Sequence, residues 1–397
     1  MAQVSTRIAN LAVSETLAMS QKSDELKAQG VNVINLSVGE PDFYTPDHIK
    51  AAAKKAIDEN FSFYSPVPGY MSLRKAVCKK LETENGLRFK PQQVICSNGA
   101  KQAVCNAVLC VVDPGDEVII PAPCWVSYIE MVKLAEGKSH IIHTGIEQDF
   151  KISPAQLEAA INPKTKAIIL VSPSNPTGSI YSKSELKALA DVLAKYPEII
   201  IISDEIYEHI NYVGKHESIA QFENVRDRVV IVNGVSKAYA MTGWRLGWMA
   251  APQWIASACS KLQGQYTSGA SSIAQKAAEA AYSGDQQCVE EMREAFMRRR
   301  DLIVKLASEI EGFKVNKPEG AFYIFPECSY YLGKSYNGKT IGTSADLAMF
   351  LLEEGHVACV GGLAFEAPDY IRFSYATSDE NIIEAMRRVK ETLAKLK

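Results

Sequence analysis

Through the middle of the chain, short apolar runs rich in β-branched residues alternate with amphipathic stretches. The runs Val94 to Ser97, Glu117 to Pro121, Lys138 to His143, Ala167 to Ser172, Ile199 to Ser203 and Val229 to Asn233 are each bounded by turn residues, which predicts strands. Between two of them, Ser182 and Glu185 stand at capping-box spacing ahead of Leu186, Leu189, Ala190 and Leu193 at helical period, predicting a crossover helix. After Ser378, the residues Ile382, Met386, Val389 and Leu393 share one helical face and charges the other. This alternation implies an α/β fold whose large domain holds a mainly parallel mixed sheet flanked by helices. The pattern places that domain at residues 45–290, with a smaller α/β domain formed by 1–44 and 291–397.

Length and composition narrow the class. At 397 residues the chain exceeds the usual single-core limit, and 47% hydrophobic with 22% charged residues describes a chain that folds throughout. A formal charge of -3 leaves no net positive field for nucleic acid or an acidic membrane surface. The basic run Arg298 to Arg300 reads as a solvated helix face. Nine cysteines without a C-x-x-C pattern read as reduced thiols, which points to the cytoplasm. No stretch has signal-peptide character or the length to span a bilayer.

The candidate chemistry sits at strand ends. Asp204 follows the apolar run Ile199 to Ser203, at the carboxyl edge where open α/β sheets place ligands. Alone it would read as a cap or a salt-bridge partner. The next strand runs into Gly234-Val235-Ser236-Lys237 and then Thr242-Gly243-Trp244-Arg245. A lysine near a second cation can serve as a Schiff-base nucleophile, although a lone lysine at a strand end is usually a surface charge.

With Ser174-Asn175-Pro176-Thr177-Gly178, Val38-Gly39-Glu40-Pro41-Asp42-Phe43, Asp113 to Val118 and Glu319-Gly320-Ala321-Phe322-Tyr323, these residues resemble the class I and II aminotransferases of the fold-type I pyridoxal phosphate enzymes over essentially the whole chain. The bacterial aspartate aminotransferases are the most similar subgroup. The resemblance implies that Lys237 binds the aldehyde of pyridoxal 5'-phosphate and shuttles the substrate proton. It implies that Asp204 pairs with the pyridine nitrogen, that Asn175 and Tyr207 bond the 3'-oxygen, and that Trp125 stacks on the ring. Cys124 stands where an aromatic residue is more usual. The phosphate falls to the backbone of Gly99, Ala100 and Lys101, which open a helix after a strand, and to Arg245. Tyr64 would reach it from the other subunit of a homodimer with shared active sites. Gly234 replaces a hydroxyl common in relatives, leaving open whether Ser236 compensates.

For substrate, the resemblance gives Arg372 and Gly39 to the α-carboxylate and Lys101 to a second carboxylate, with Trp125 and Asn175 beside them. Aspartate with 2-oxoglutarate is the expected pair. Aromatic, alanine or prephenate specificity, or a related lyase, uses nearly the same cofactor residues; an apolar Ala12 argues against prephenate. Gly333 to Thr340 also matches the nucleotide P-loop pattern, but no strand is predicted to end at Gly333, and Gly342 interrupts the required helix. A pure binding protein is disfavoured by Lys237. His140 and His143 fall on opposite faces of a predicted strand, so no metal site is expected.

Overall fold

The computed structural model describes residues 4–13 and 15–397. Its main sheet has seven strands: β1 (Val94–Ser97), β2 (Glu117–Ala122), β3 (Lys138–His143), β4 (Thr165–Val171), β5 (Ile200–Asp204), β6 (Val229–Gly234) and β7 (Gly247–Ala250). Their order is β1-β7-β6-β5-β4-β2-β3. Only β7 runs against its neighbours, so the other six all end on one edge. Six of the strands lie where the apolar runs predict them. Strand β7 is absent from that prediction, because its four residues, Gly247 to Ala250, form a short run without a β-branched residue.

Helices cover both faces. Ile201, Val229 and Ile231 enter one core while Ile200, Ile202, Val230 and Val232 enter the opposite one, so each central strand is apolar on both sides. The flanking helices used below are α1 (Met71–Asn85), α2 (Ala100–Val111), α3 (Ser127–Leu134), α4 (Lys183–Leu193) and α5 (Gln253–Tyr266). The predicted cap of α4 is present, with Ser182 Oγ accepting from Glu185 N.

A separate core gathers segments from both ends of the chain. It packs Leu36 with α6 (Gln287–Ser308), α7 (Ser344–Gly355), α8 (Asp379–Leu393) and a small antiparallel sheet. That sheet contains β8 (Tyr323–Ile324), β9 (Val360–Gly361) and β10 (Ile371–Ser374), in the order β9-β10-β8. Helix α6 joins the two bodies: Val289 packs into the main core, and Met292, Phe296 and Ile303 into the other.

Two local expectations change. Arg298 is exposed, but Arg299 and Arg300 are buried. Arg299 grips Asp42 through both carboxylate oxygens at 2.7 and 3.0 Å, and Arg300 donates to Pro318 O at 3.2 Å. Three consecutive helical residues sweep about 200°, so they cannot share one solvated face. The P-loop match is a hairpin in which Ser335–Tyr336 pairs with Lys339–Thr340 across Asn337 and Gly338, both at positive φ. It contains no strand-to-helix phosphate turn.

Candidate active site

The carboxyl edge of the main sheet and the start of β10 enclose a cleft of about 330 Å3. Lys237 enters from the turn after β6, and its Nζ donates to Gly39 O at 2.5 Å. No carboxylate forms a salt bridge with it among the described residues. Burial therefore pulls the ammonium down to about 8, with Glu40 opposing and Arg372 and Arg245 adding to the fall. At neutral pH a useful fraction of this amine is the free base.

Asp204, the last residue of β5, is 3% exposed. Its Oδ2 accepts from Tyr128 OH at 2.7 Å and its Oδ1 from Ile206 N at 3.2 Å. Burial pushes the carboxyl up to about 6 despite these donors. Tyr128 comes from α3, where it also meets the Trp125 ring edge-on at 5.3 Å. No sequence pattern marks Tyr128; only the fold brings it to Asp204.

Arg372 arrives from β10 and is 2% exposed. Its Nη1 donates to Asn175 Oδ1 at 2.8 Å and its Nη2 to Ser37 O at 2.5 Å. Its Nε is buried without a partner. The guanidinium lies 4.6 Å from the Tyr323 ring centroid and 4.9 Å from that of Phe365, which fixes its plane. Tyr207 OH shares a hydrogen bond of 2.8 Å with Tyr323 OH. Ser37 and Tyr128 are site residues outside every motif, while Tyr323 and Thr242 lie within motifs but gain their roles only from the fold.

At the other end, helix α2 begins after Gly99, whose φ is +82°. The Gly99 N–H is bonded to Ser97 O at 2.8 Å, and Gln102 N to Gly99 O at 3.1 Å. That leaves the N–H groups of Ala100 and Lys101 as the free donors of the first turn. The expected three-amide cradle is thus two amides and a glycine. A Cβ on Gly99 would meet Arg245 Nη2 at 2.5 Å, so glycine is what lets the guanidinium close over the helix start. Arg245 itself holds a positive φ of 55° and donates to Thr242 O at 2.8 Å. Lys101 Nζ stands 4.8 Å over the Trp125 ring.

The missing hydroxyl at Gly234 has a steric reason. A Cβ there would approach Gly247 Cα at 2.8 Å and Leu246 O at 2.9 Å, where Gly234 of β6 pairs with Gly247 of β7. Ser236 and Thr242 both line the cleft. Tyr64 is 99% exposed and lies outside this cleft, beside Phe63 and Ser65.

The donor set fits pyridoxal phosphate. It offers a helix start with two free amides beside a guanidinium for a phosphate, a buried amine for an aldehyde, and a buried carboxyl for a ring nitrogen. Val171 and Ile206 supply apolar walls. The lining carries four cations, Lys101, Lys237, Arg245 and Arg372, against the single carboxylate of Asp204. Such an excess suits anionic ligands. His140 pairs loosely with Glu117 and His143 with Glu366 O, and neither belongs to a group able to hold a metal among the described residues.

A family model described as aminotransferase class I and II matches residues 31–389. An aspartate/prephenate aminotransferase of Cereibacter sphaeroides is 48% identical over 399 residues, covering 100% of both chains. One of Nitrosomonas europaea is 46% identical over 396 residues, covering 99% of this chain and 100% of its own. Among solved structures, the aspartate aminotransferase of Rhizobium meliloti superposes with a TM-score of 0.96 at 41% identity over 100% of both chains.

Proposed function

The chain belongs to the class I and II aminotransferases, which are pyridoxal phosphate enzymes, and from that premise we propose that it transfers the amino group of L-aspartate to 2-oxoglutarate, giving oxaloacetate and L-glutamate. When bound, the cofactor supplies an aldehyde that captures amines and a ring that stores the electron pair left behind when an α-proton departs. Lys237 Nζ is the amine that holds the aldehyde at rest and, once freed by substrate, carries the proton to and from the substrate Cα. Burial supports both roles by keeping Nζ partly unprotonated. Asp204 holds a proton at the ring nitrogen, and Tyr128 orients its carboxyl.

Asn175 donates through its free amide nitrogen to the 3'-oxygen, because its Oδ1 is occupied by Arg372. Tyr207 donates to the same oxygen, and Trp125 covers the ring face. Ala100, Lys101 and Arg245 bind the phosphate beside Gly99. Arg372 takes the α-carboxylate with the guanidinium protons that Asn175 and Ser37 leave free, and Gly39 adds a backbone contact. Lys101 faces the distal carboxylate. The observation that carries the substrate reading is that two cations, Arg372 and Lys101, line the same cleft as a buried lysine.

Tyr64, almost wholly exposed in the single chain, reaches the phosphate of a second copy in a homodimer. Residues 45–290 form the cofactor-carrying domain, and 1–44 with 291–397 the smaller one. The enzyme works in the cytoplasm, a reading supported by its nine free cysteines. The names of the relatives favour prephenate as a second amino acceptor.

Addition of aspartate alone to the holoenzyme tests the substrate reading. The yellow absorbance should convert to the amine form, and Lys101→Ala should slow that conversion for aspartate at least 10-fold while sparing alanine. An unchanged aspartate rate in Lys101→Ala would remove Lys101 from the specificity pocket.

A further inference from the structure

Beyond β5, side chains three residues apart share a side and adjacent ones face opposite sides. Asp204 and Tyr207 line the cleft, whereas Glu205 and Glu208 are buried away from it, 1% and 5% exposed. Glu205 is bound by three groups. Its Oε1 accepts from Ser203 Oγ at 2.9 Å and Ser218 Oγ at 2.6 Å, and its Oε2 meets His216 Nε2 at 3.0 Å. Glu208 is paired with Lys80 of α1 and accepts from Asn85 Nδ2 at 3.1 Å. The segment that presents Asp204 and Tyr207 is therefore pinned from behind by two carboxylates.

Charge decides how those carboxylates are neutralised. Glu84, Glu205 and Glu208 face one fixed cation, Lys80, together with His209 and His216. Lys215 and, from α6, Glu290 and Arg293 line the adjoining cavity of about 400 Å3. With both imidazoles neutral, the inner cluster would hold two surplus negative charges in a largely buried place, which is costly. Burial opposes a charged His216, but Glu205 and Glu208 outweigh it, so its proton affinity rises above the ordinary value. The oxygen and nitrogen atoms lie close enough to hold a metal ion, but the Lys80 ammonium already bound to Glu208 supplies the cation.

We propose that Glu205, paired with His216, is a positioning residue that fixes the turn carrying Asp204 and Tyr207, and that this pair sets the balance of charge standing behind Asp204. The proposal rests on the reading of Lys237 and Asp204 as the cofactor's partners. Glu205 is joined to Asp204 by one peptide bond, and its charge already adds to the burial that raises the Asp204 carboxyl.

The test is a pH titration of the visible absorbance of the holoenzyme in charge-altering variants. Glu205→Gln removes a negative charge and should lower the midpoint by about half a pH unit; His216→Gln removes the compensating positive charge and should raise it by a similar amount. A purely structural role would move both the same way. Ser218→Ala keeps every charge while removing one bond to Glu205. It should leave the midpoint in place and raise the cofactor dissociation constant by about 2- to 10-fold. Native protein that never turns yellow overturns the underlying reading. Yellow native protein whose two charge variants shift together, or not at all, overturns this proposal alone, as does unchanged cofactor retention in Ser218→Ala.

Discussion

Replacing Arg372 by lysine keeps a positive charge at the base of the cleft and removes the planar fork. In the native chain that fork is set by Asn175 Oδ1 at 2.8 Å and Ser37 O at 2.5 Å, and it is sandwiched near Tyr323 and Phe365. An ammonium cannot keep both anchors while presenting two parallel donors to a carboxylate. Losing one charge-assisted hydrogen bond costs about 1.5–3 kcal/mol, which corresponds to roughly a 10- to 150-fold fall in kcat/KM for aspartate. The assay is the single-turnover conversion of the yellow holoenzyme by aspartate, compared with a primary amine that lacks the α-carboxylate. Only the first substrate uses Arg372, so the amine should lose less than about threefold. Equal losses for both would mean that Arg372 acts through the fold, and an unchanged aspartate rate would remove it from substrate binding.

Other residues give further outcomes. Asp204→Asn should lower turnover by on the order of 10²-fold or more, measured at saturating aspartate. In the apoprotein the same change should stabilise. A carboxyl raised to about 6 is ionised at a cost at pH 7, so stability falls as pH rises from about 4 through 6, and the advantage of the variant should vanish below about pH 4 in denaturant titrations. Lys237→Met removes a buried ammonium drawn down to about 8. Native apoprotein should trail the variant by on the order of 3 kcal/mol below pH 8 and recover as pH climbs toward 10.5, because the unfolded chain binds more protons in that interval. A pH-independent difference would contradict the burial account. Gly234→Ser should lower the melting temperature without tightening cofactor binding, since its Cβ would press on Gly247 and Leu246.

Much of the architecture was legible because strand and helix periods differ. Ile199 to Ser203 and Val229 to Asn233 show uninterrupted apolar character, and strands β5 and β6 are buried on both faces. Ser182 with Glu185 marked the start of α4 because a cap is a local device. Lys237, Asp204, Arg372 and Asn175 were found through motif resemblance, and the fold brings them to one cleft. What stayed hidden was contact between distant segments. Tyr128 lies 76 positions from Asp204, and Tyr323 lies 116 from Tyr207, with no local periodicity to tie either pair. Arg299 misled for a related reason, since its partner Asp42 lies 257 positions away; Arg300 pairs with the adjacent Asp301 yet is turned inward onto Pro318 O. Gly234 looked like a lost donor until its close pairing with Gly247 of β7 gave it a steric role.

Reduction of the holoenzyme with borohydride, followed by proteolysis and mass mapping, tests the central chemistry most directly. The added pyridoxyl mass should reside on the peptide carrying Lys237, and Lys237→Ala should take up no reducible label. Label fixed to another lysine, or none fixed to a yellow native protein, would contradict the assignment of that amine.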